Sequence, residues 1–360
     1  QILKYSIYII PLTSIIILLM SSLNGLKLFK FYTLSSLLTA LIYVLVSIFY
    51  LKEIQSQNFI FVLKIILLSE IITLLVILLF LINFLYTNLK NLNLLENFFS
   101  SLFIFFKNSS VFLISGLMLY FNILLIKIFI NKTSGFTELG VFESAWSIAL
   151  LSTFIIVRSI VIYYLPELSS CKKEDVKKII NKYISISPFI IIIILCPLIF
   201  LNKQLITLLF SLEFIEAFRY LRWLILAEIF KLYMSLFTYP LIAKNYLKQF
   251  LILEVIYNSA FLIISYICIF IFNNIELFCI GYTLINLFIL IIFYLFCKVK
   301  FEYRFLLIDK LSLFTSLIFV IILFVLNFEQ QYNLYLNLLI LIIFSLIIIY
   351  FNRNKIYLLN

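Results

Sequence analysis

The chain has 360 residues, a formal net charge of +11, no histidine and 65% hydrophobic residues. Its mean hydropathy of +1.22 lies outside the range of soluble globular proteins, in which about 45–50% of residues are apolar. The composition therefore excludes a soluble enzyme. The positive charge does not indicate nucleic acid as a partner, because an excess of Lys and Arg in a membrane protein belongs to its cytoplasmic loops.

Long apolar segments recur from one end of the chain to the other and predict an all-α polytopic membrane protein. A helix needs about 20 apolar residues to cross the bilayer. The sequence thus predicts transmembrane helices at Tyr5–Leu23, Thr33–Leu51, Phe61–Leu85, Val111–Ile130, Val141–Leu165, Ile184–Leu201, Tyr220–Ala243, Phe250–Phe272, Ile275–Cys297, Leu311–Leu326 and Leu334–Phe351. These are about 11 spans, and only Asn273 and Asn274 separate the eighth from the ninth.

The loops between these helices alternate between basic and nearly uncharged. The basic set contains Lys27, Lys30, Lys90, Lys107, Lys172, Lys173, Lys177, Lys178, Lys182, Lys244, Lys248, Lys298, Lys300, Arg304, Lys310, Arg353 and Lys355. The other set contains only Lys4, Lys52, Lys132, Lys203 and Arg219. By the positive-inside rule the basic set faces the cytoplasm, which places the C-terminus inside and Gln1 outside.

The segment from Thr87 to Ser110 is the longest connection with amphipathic character. Its apolar residues, Leu92, Leu95, Phe98, Phe99 and Leu102, recur at helical spacing. This pattern fits an interfacial helix that joins two halves of the molecule, and it fits an ordinary loop helix equally well.

The chain lacks the residue patterns of catalysis or metal binding. Its five cysteines are irregularly spaced and read as small hydrophobic residues, not as a disulfide framework or metal site. No nucleophile–base pair and no glycine-rich phosphate loop is present. We therefore expect neither enzymatic activity nor a cofactor.

Polar groups within the predicted spans are the candidate functional residues. In the third span Glu70 has no cation four residues away, so it is an ion-coupling candidate. In the fourth span Tyr120 and Lys127 share a face with Gly116. Lys127 lies near the outer end, where its long side chain could instead reach the headgroups.

Arg158 is the most informative residue of the fifth span. An arginine at the centre of a transmembrane helix costs roughly 2.5–3.5 kcal/mol on insertion scales, which favours a functional role. It shares a stripe with Glu143 and Phe154. Glu143 lies ~22 Å away along the axis and cannot pair with it. Arg158 is therefore expected to face another helix or a wet cavity, or else to reach the headgroups.

The seventh span carries the most polar stripe, with Glu228, Lys231, Ser235 and Thr238 on one face below Leu224. Glu228 and Lys231 are three residues apart, so they can also neutralise each other locally.

In the eighth span Tyr257 and Asn258 share a face with Glu254, which could simply be solvated. Together, the polar stripes predict a hydrated cavity with positive charge that fits an anionic amphiphile.

Three segments resemble bacterial polysaccharide flippases of the Wzx type, within the multidrug/oligosaccharidyl-lipid/polysaccharide exporter superfamily. They read NKTSGFTELGVFESAWSIA, VRSIVIYYLPELSS and FSLEFIEAFRYLRWLILAEIFKLYMSLFTYPLIAK. The resemblance covers the middle third of the chain, and the flanks agree in helix order only.

The resemblance implies a 14-helix fold of two bundles. On that plan residues 1–86 are the last helices of the N-terminal bundle and residues 87–110 are a cytoplasmic amphipathic linker. Residues 111–297 form a C-terminal six-helix bundle, and residues 298–360 are two additional C-terminal helices. The plan places three further helices ahead of Gln1, so an N-terminally truncated member is expected.

The implied function is translocation of undecaprenyl-diphosphate-linked oligosaccharide repeat units of O antigen or capsule across the bacterial inner membrane, by alternating access. The implied partners are this lipid-linked substrate, the bilayer and other polysaccharide-assembly membrane proteins. The implied site contains Arg158, Lys231, Lys127, Glu228, Tyr120, Tyr257 and Asn258. A cation-coupled drug exporter, a membrane polysaccharide polymerase or ligase, and a structural membrane subunit are the alternatives.

Overall fold

The computed structural model describes residues 2–25, 29–49, 59–88, 98–190, 198 and 201–304. The predicted spans Leu311–Leu326 and Leu334–Phe351, and residues 89–97 of the predicted linker, lie outside these ranges. By its internal contacts the chain divides into two compact units, Gln1–Ser101 and Leu102–Asn360.

The described residues of the first unit form α1 (Ile2–Gly25), α2 (Phe29–Phe49) and α3 (Phe59–Asn88), ahead of the start of α4. α3 packs against both α1 and α2. These helices match the first three predicted spans in order, and α3 is longer than predicted at both ends.

The second unit begins within α4 (Phe98–Ser170), a helix interrupted only at Gly135. Gly135 has φ 84° and ψ 174°, a backbone conformation that is essentially restricted to glycine. Residues 98–134 form the first arm of α4 and residues 136–170 its second arm. The prediction of a ten-residue gap between Ile130 and Val141 is therefore wrong, because one glycine makes the bend and helical turns continue on both sides.

The other helices that the structure describes in the second unit follow in chain order. They are α5 (Val176–Ile190), α6 (Asn202–Leu209), α7 (Phe218–Ala243), α8 (Leu247–Ser265) and α9 (Ile275–Phe301). A π-helical turn, Tyr266–Ile271, extends α8. The side chain of Asn274 caps α9 by accepting a hydrogen bond from the Leu277 amide, which confirms the predicted separation of α8 from α9.

Two predicted boundaries change. α5 starts eight residues before the predicted span Ile184–Leu201, and residues 191–197 lie outside the described ranges. The predicted outer loop between Asn202 and Arg219 contains α6 and a 3-10 helix, Leu212–Ala217.

α7 is the central helix of the second unit. Of its 26 residues 18 are buried, and its most extensive packing is against α9. Trp146, Phe261, Phe278 and Tyr282 form an aromatic cluster between the second arm of α4, α8 and α9, with ring centroids 5.2–6.5 Å apart. A helix that is buried on nearly all sides cannot face lipid, so the polar groups on α7 are held inside protein.

Four helical segments of the described chain are long and apolar enough to cross a membrane. They are Phe106–Ser170, which includes both arms of α4, Leu212–Ala243, Leu247–Ile271 and Ile275–Phe301. The class of protein is thus a helical membrane protein. The number of spans in the whole chain stays a prediction.

Contacts between helix ends bring the C-terminal ends of α4, α7 and α9 and the start of α8 to one end of the second unit. At one end Lys244 Nζ donates to the Cys171 carbonyl, and Tyr246 packs on Phe301. At the other end Ser134 donates to Asn273. The first end carries most of the basic residues, as the loop pattern predicts. That this end faces the cytoplasm remains a prediction.

The crossing of α8 and α9 depends on Gly281. A Cβ atom at this position would lie 2.5 Å from Ile264 Cγ2, a branched atom close to the backbone. We expect Gly281→Ala to lower the stability of the detergent-purified protein by about 1–3 kcal/mol through overpacking. Gly116→Ala is the matched control, because a Cβ there meets nothing within 4 Å. Equal melting temperatures for the two variants would contradict this packing.

Candidate functional site

A cavity of about 750 Å³ lies within the second unit. Its walls are formed by both arms of α4 and by α7, α8 and α9. Most lining atoms are apolar, and the polar and charged side chains are Thr153, Arg158, Glu228, Lys231, Ser235, Thr238, Glu254, Tyr120, Tyr239, Tyr257 and Tyr282. A volume of this size suits a ligand headgroup of several rings, and its sparse polar groups would orient the ligand.

Arg158 lies on the wall of this cavity, on the second arm of α4. It is exposed, and its guanidinium stands 4.9 Å from the ring centroid of Phe154, which lines the same cavity. Within the described residues Arg158 forms no ion pair. Its charge is therefore available to a ligand.

Glu228 and Lys231 line the cavity from α7, and we call this pair the polar floor of the cavity. Lys231 Nζ lies 3.4 Å from Glu228 Oε1, which also accepts a 3.0 Å hydrogen bond from the Tyr282 hydroxyl of α9. The Glu228 side chain is 1% exposed, while that of Lys231 is 27% exposed. The second carboxylate oxygen, Oε2, is buried and has no hydrogen-bond partner within the described part of the chain. The predicted local pair exists, and it leaves one oxygen unsatisfied.

The predicted stripe on α7 is confirmed, since Glu228, Lys231, Ser235 and Thr238 all line the cavity. Leu224, at the top of the stripe, is instead part of the buried core.

Glu254 and Tyr257 bring α8 into the site. Both line the cavity, and Glu254 Oε2 accepts a 3.1 Å hydrogen bond from Ser115 on the first arm of α4. From the sequence Glu254 could simply be solvated, whereas the structure places it on the cavity wall. The cavity lining therefore contains two cations, Arg158 and Lys231, and two carboxylates, of which the predicted site included only Glu228.

Of the three other predicted site residues, one lines the cavity and two do not. Tyr120 lines the cavity at an exposed position. Asn258 does not line it, because its side chain is buried between helices and accepts a hydrogen bond from Asn122. Lys127 also lies outside the lining and pairs with Glu143 at 3.0 Å across the bend at Gly135.

Glu70 belongs to the first unit and to a different environment. Its carboxylate accepts hydrogen bonds from Tyr43 of α2 at 2.6 Å and from Thr13 of α1 at 3.3 Å. It is 5% exposed and, through these hydrogen bonds, joins α3 to α1 and α2. Among the described residues no cation lies within ion-pair distance of it, so the ion-coupling hypothesis keeps its structural basis and remains a prediction.

A second, polar pocket of about 500 Å³ lies at the end of the second unit opposite Lys244. Glu138 pairs with Arg219 at 2.7 Å and also accepts from Tyr220, while Arg222 pairs with Glu276 at 2.6 Å. These pairs tie the second arm of α4, α7 and α9 together. The carboxylates of Glu138 and Glu276 are therefore already paired with arginines.

Sequence reasoning missed Tyr282, Thr153 and Trp146. Tyr282 lies in the most hydrophobic of the described spans, where hydroxyl and amide groups such as Thr283 and Asn286 were visible in the sequence. The clustering of Tyr282, Thr283 and Asn286 within five residues is the sequence pattern that could have indicated a polar contact in this span. No cluster of three metal-ligating side chains occurs within the described ranges.

Searches against protein-family models, curated proteins and solved structures gave no match to this chain. The class of protein therefore rests on its own apolar helices, and its activity is a matter for proposal.

Proposed function

We propose that this chain acts as a flippase for undecaprenyl-diphosphate-linked oligosaccharide repeat units in the bacterial inner membrane. The observation that carries the proposal is the unpaired guanidinium of Arg158 on the wall of a mostly apolar cavity with a polar floor. The proposal includes the two-bundle exporter fold of 14 helices, a cytoplasmic C-terminus, alternating access and no enzymatic step.

The chemistry of the diphosphate supports a role for Arg158. A diphosphate cannot enter hydrocarbon alone, since the burial of an unpaired charge is prohibitively costly. An arginine offers planar, bidentate hydrogen bonds that match phosphate oxygens and remains charged at every physiological pH. Lys231, partly exposed to the same cavity, supplies a second cation.

The rest of the lining suits the other parts of such a substrate. Tyr120, Tyr239 and Tyr257 present ring faces and hydroxyl groups that can contact sugar rings. The apolar majority of the wall tolerates the first isoprene units, while the remaining tail stays in the bilayer. Other polysaccharide-assembly membrane proteins would receive the flipped product.

A cation-coupled drug exporter is the second candidate, and the carboxylates Glu228 and Glu254 on the cavity wall favour it. An exporter of cationic drugs would use these acids to bind its substrate, and Arg158 would oppose that binding. Drug resistance that rises on Arg158→Ala would favour the exporter, whereas loss of surface polysaccharide favours the flippase.

Deletion of the gene in the source bacterium tests the proposal. We expect the lipid-linked oligosaccharide to accumulate in the inner leaflet, because synthesis continues while translocation stops. The measurement is leaflet-resolved labelling of the glycan with an impermeant reagent. Accumulation in the outer leaflet would instead indicate a polymerase or ligase, and unchanged polysaccharide would overturn the proposal.

A further inference from the structure

The ion pair between Glu228 and Lys231 is long enough for a ligand to take the place of Glu228 as the partner of Lys231. Charge-assisted N–H···O bonds are usually about 2.7–2.9 Å long, and this one measures 3.4 Å. Glu228 is almost fully enclosed, while part of Lys231 faces the cavity. A ligand that enters the cavity can therefore reach the lysine without reaching the carboxylate.

We infer that an anionic ligand forms an ion pair with Lys231 in place of Glu228, and that Glu228 then takes up a proton from water. Binding of the anion would thus be linked to uptake of one proton. This inference rests on the proposed function only for the choice of a phosphate ligand, and it adds a proton-binding residue to that site.

The burial of Glu228 provides the physical reason. A buried carboxylate that loses its counter-ion is strongly destabilised, and a second anion nearby adds like-charge repulsion. Protonation removes both costs. The unpartnered Oε2 is the atom that would accept the proton, since Oε1 already accepts from Tyr282.

The residues around the cavity make Glu228 the carboxylate that takes up the proton when the ligand binds. The titratable and charged groups that face it across the cavity are Lys231 on its own helix, Tyr282 on α9, Glu254 and Tyr257 on α8, and Arg158 on α4. Glu254 is less enclosed than Glu228 and keeps the hydrogen bond from Ser115. Glu228 is therefore the more enclosed of the two carboxylates and loses more when its counter-ion is removed.

Calorimetric titration of the full-length protein in nanodiscs tests this inference. The probe is a farnesyl diphosphate esterified with N-acetylglucosamine, because both phosphates are then diesters that do not titrate near neutral pH. Heats measured in Tris and in HEPES, which differ in protonation enthalpy, give the number of protons taken up. We expect about one proton per ligand and an affinity that weakens by up to about tenfold per pH unit as the pH rises.

Two variants test which residue takes up the proton. Glu228→Gln should bind the probe with no proton uptake and with an affinity independent of pH. Glu143→Gln is the matched control, since it makes the same change at a carboxylate of α4 that does not line the cavity, and it should take up protons like the wild type. If Glu228→Gln does not fold, the pH dependence of the wild-type affinity carries the test.

The outcomes separate this inference from the proposed function. Binding without proton uptake, or with proton release, overturns the inference and leaves the flippase proposal intact. Proton uptake that survives in Glu228→Gln also overturns it. A wild-type protein that does not bind the probe at any pH contradicts both.

Discussion

Arg158→Ala in the full-length protein should abolish surface polysaccharide and leave the amount of protein in the membrane unchanged. The variant removes the only described cation of the cavity that has no carboxylate partner, so the diphosphate loses its main charge-assisted contact. Truncation of one partner of a desolvated, hydrogen-bonded charge pair costs about 2–5 kcal/mol, or roughly 30-fold or more in binding. Polysaccharide staining and membrane immunoblots of the complemented deletion strain measure the two quantities.

Two control variants sharpen this test. Arg158→Lys should restore export only in part, because lysine keeps the charge and lacks the planar fork. Lys127→Ala removes a cation from the same helix, outside the cavity lining, and should leave export intact. Normal polysaccharide in the Arg158→Ala strain would contradict the assignment of Arg158 as a ligand-binding residue.

Lys231→Met should strongly destabilise the protein, because it leaves the carboxylate of Glu228 buried without a counter-ion. Breaking a buried ion pair at one partner costs about 3–5 kcal/mol. The measurement is thermal unfolding of the detergent-purified protein at neutral pH. The double variant Lys231→Met/Glu228→Gln should regain most of this loss, since a neutral amide replaces the orphaned charge.

Lys127→Met is the matched control for stability. Its partner Glu143 is 29% exposed, against 1% for Glu228, so the loss of that pair should cost clearly less than the loss of the pair between Lys231 and Glu228. Equal melting temperatures for Lys231→Met and Lys127→Met would mean that Glu228 is not enclosed as the structure places it. A double variant less stable than Lys231→Met alone would mean that the two side chains do not form a pair.

Helix positions in the second unit were largely predictable from the sequence. α7 begins two residues before the predicted start and ends at the predicted Ala243, because its apolar run stops at Lys244 and Asn245. The start of α9 was predictable from Asn274, a residue type that commonly caps helices. The bend at Gly135 was not, since a run of polar residues resembles a loop whether the chain leaves the helix for one residue or for ten.

The site was predictable along single helices and not between them. Helical periodicity places Glu228, Lys231, Ser235 and Thr238 on one face, and the structure keeps them there. Hydrogen-bond and ion-pair partners on another helix, or across the bend in α4, depend on how the helices cross or bend, which helical periodicity does not encode. For that reason the pairing of Lys127 with Glu143, the contact of Glu228 with Tyr282 and the position of Glu254 on the cavity wall all appear only in the folded chain.

A wet cavity in the second unit that accepts a diphosphate-linked glycan should let a water-soluble reagent reach its wall. The most direct measurement uses Ser235→Cys in a variant with all native cysteines replaced, labelled by a water-soluble, membrane-impermeant maleimide in nanodiscs. Ser235 lines the cavity beside Lys231 and makes its hydrogen bond only to its own helix. We predict that the introduced thiol is labelled and that the diphosphate-linked glycan, but not the corresponding free isoprenol, slows the labelling. No labelling, or labelling that both compounds leave unchanged, would contradict the account.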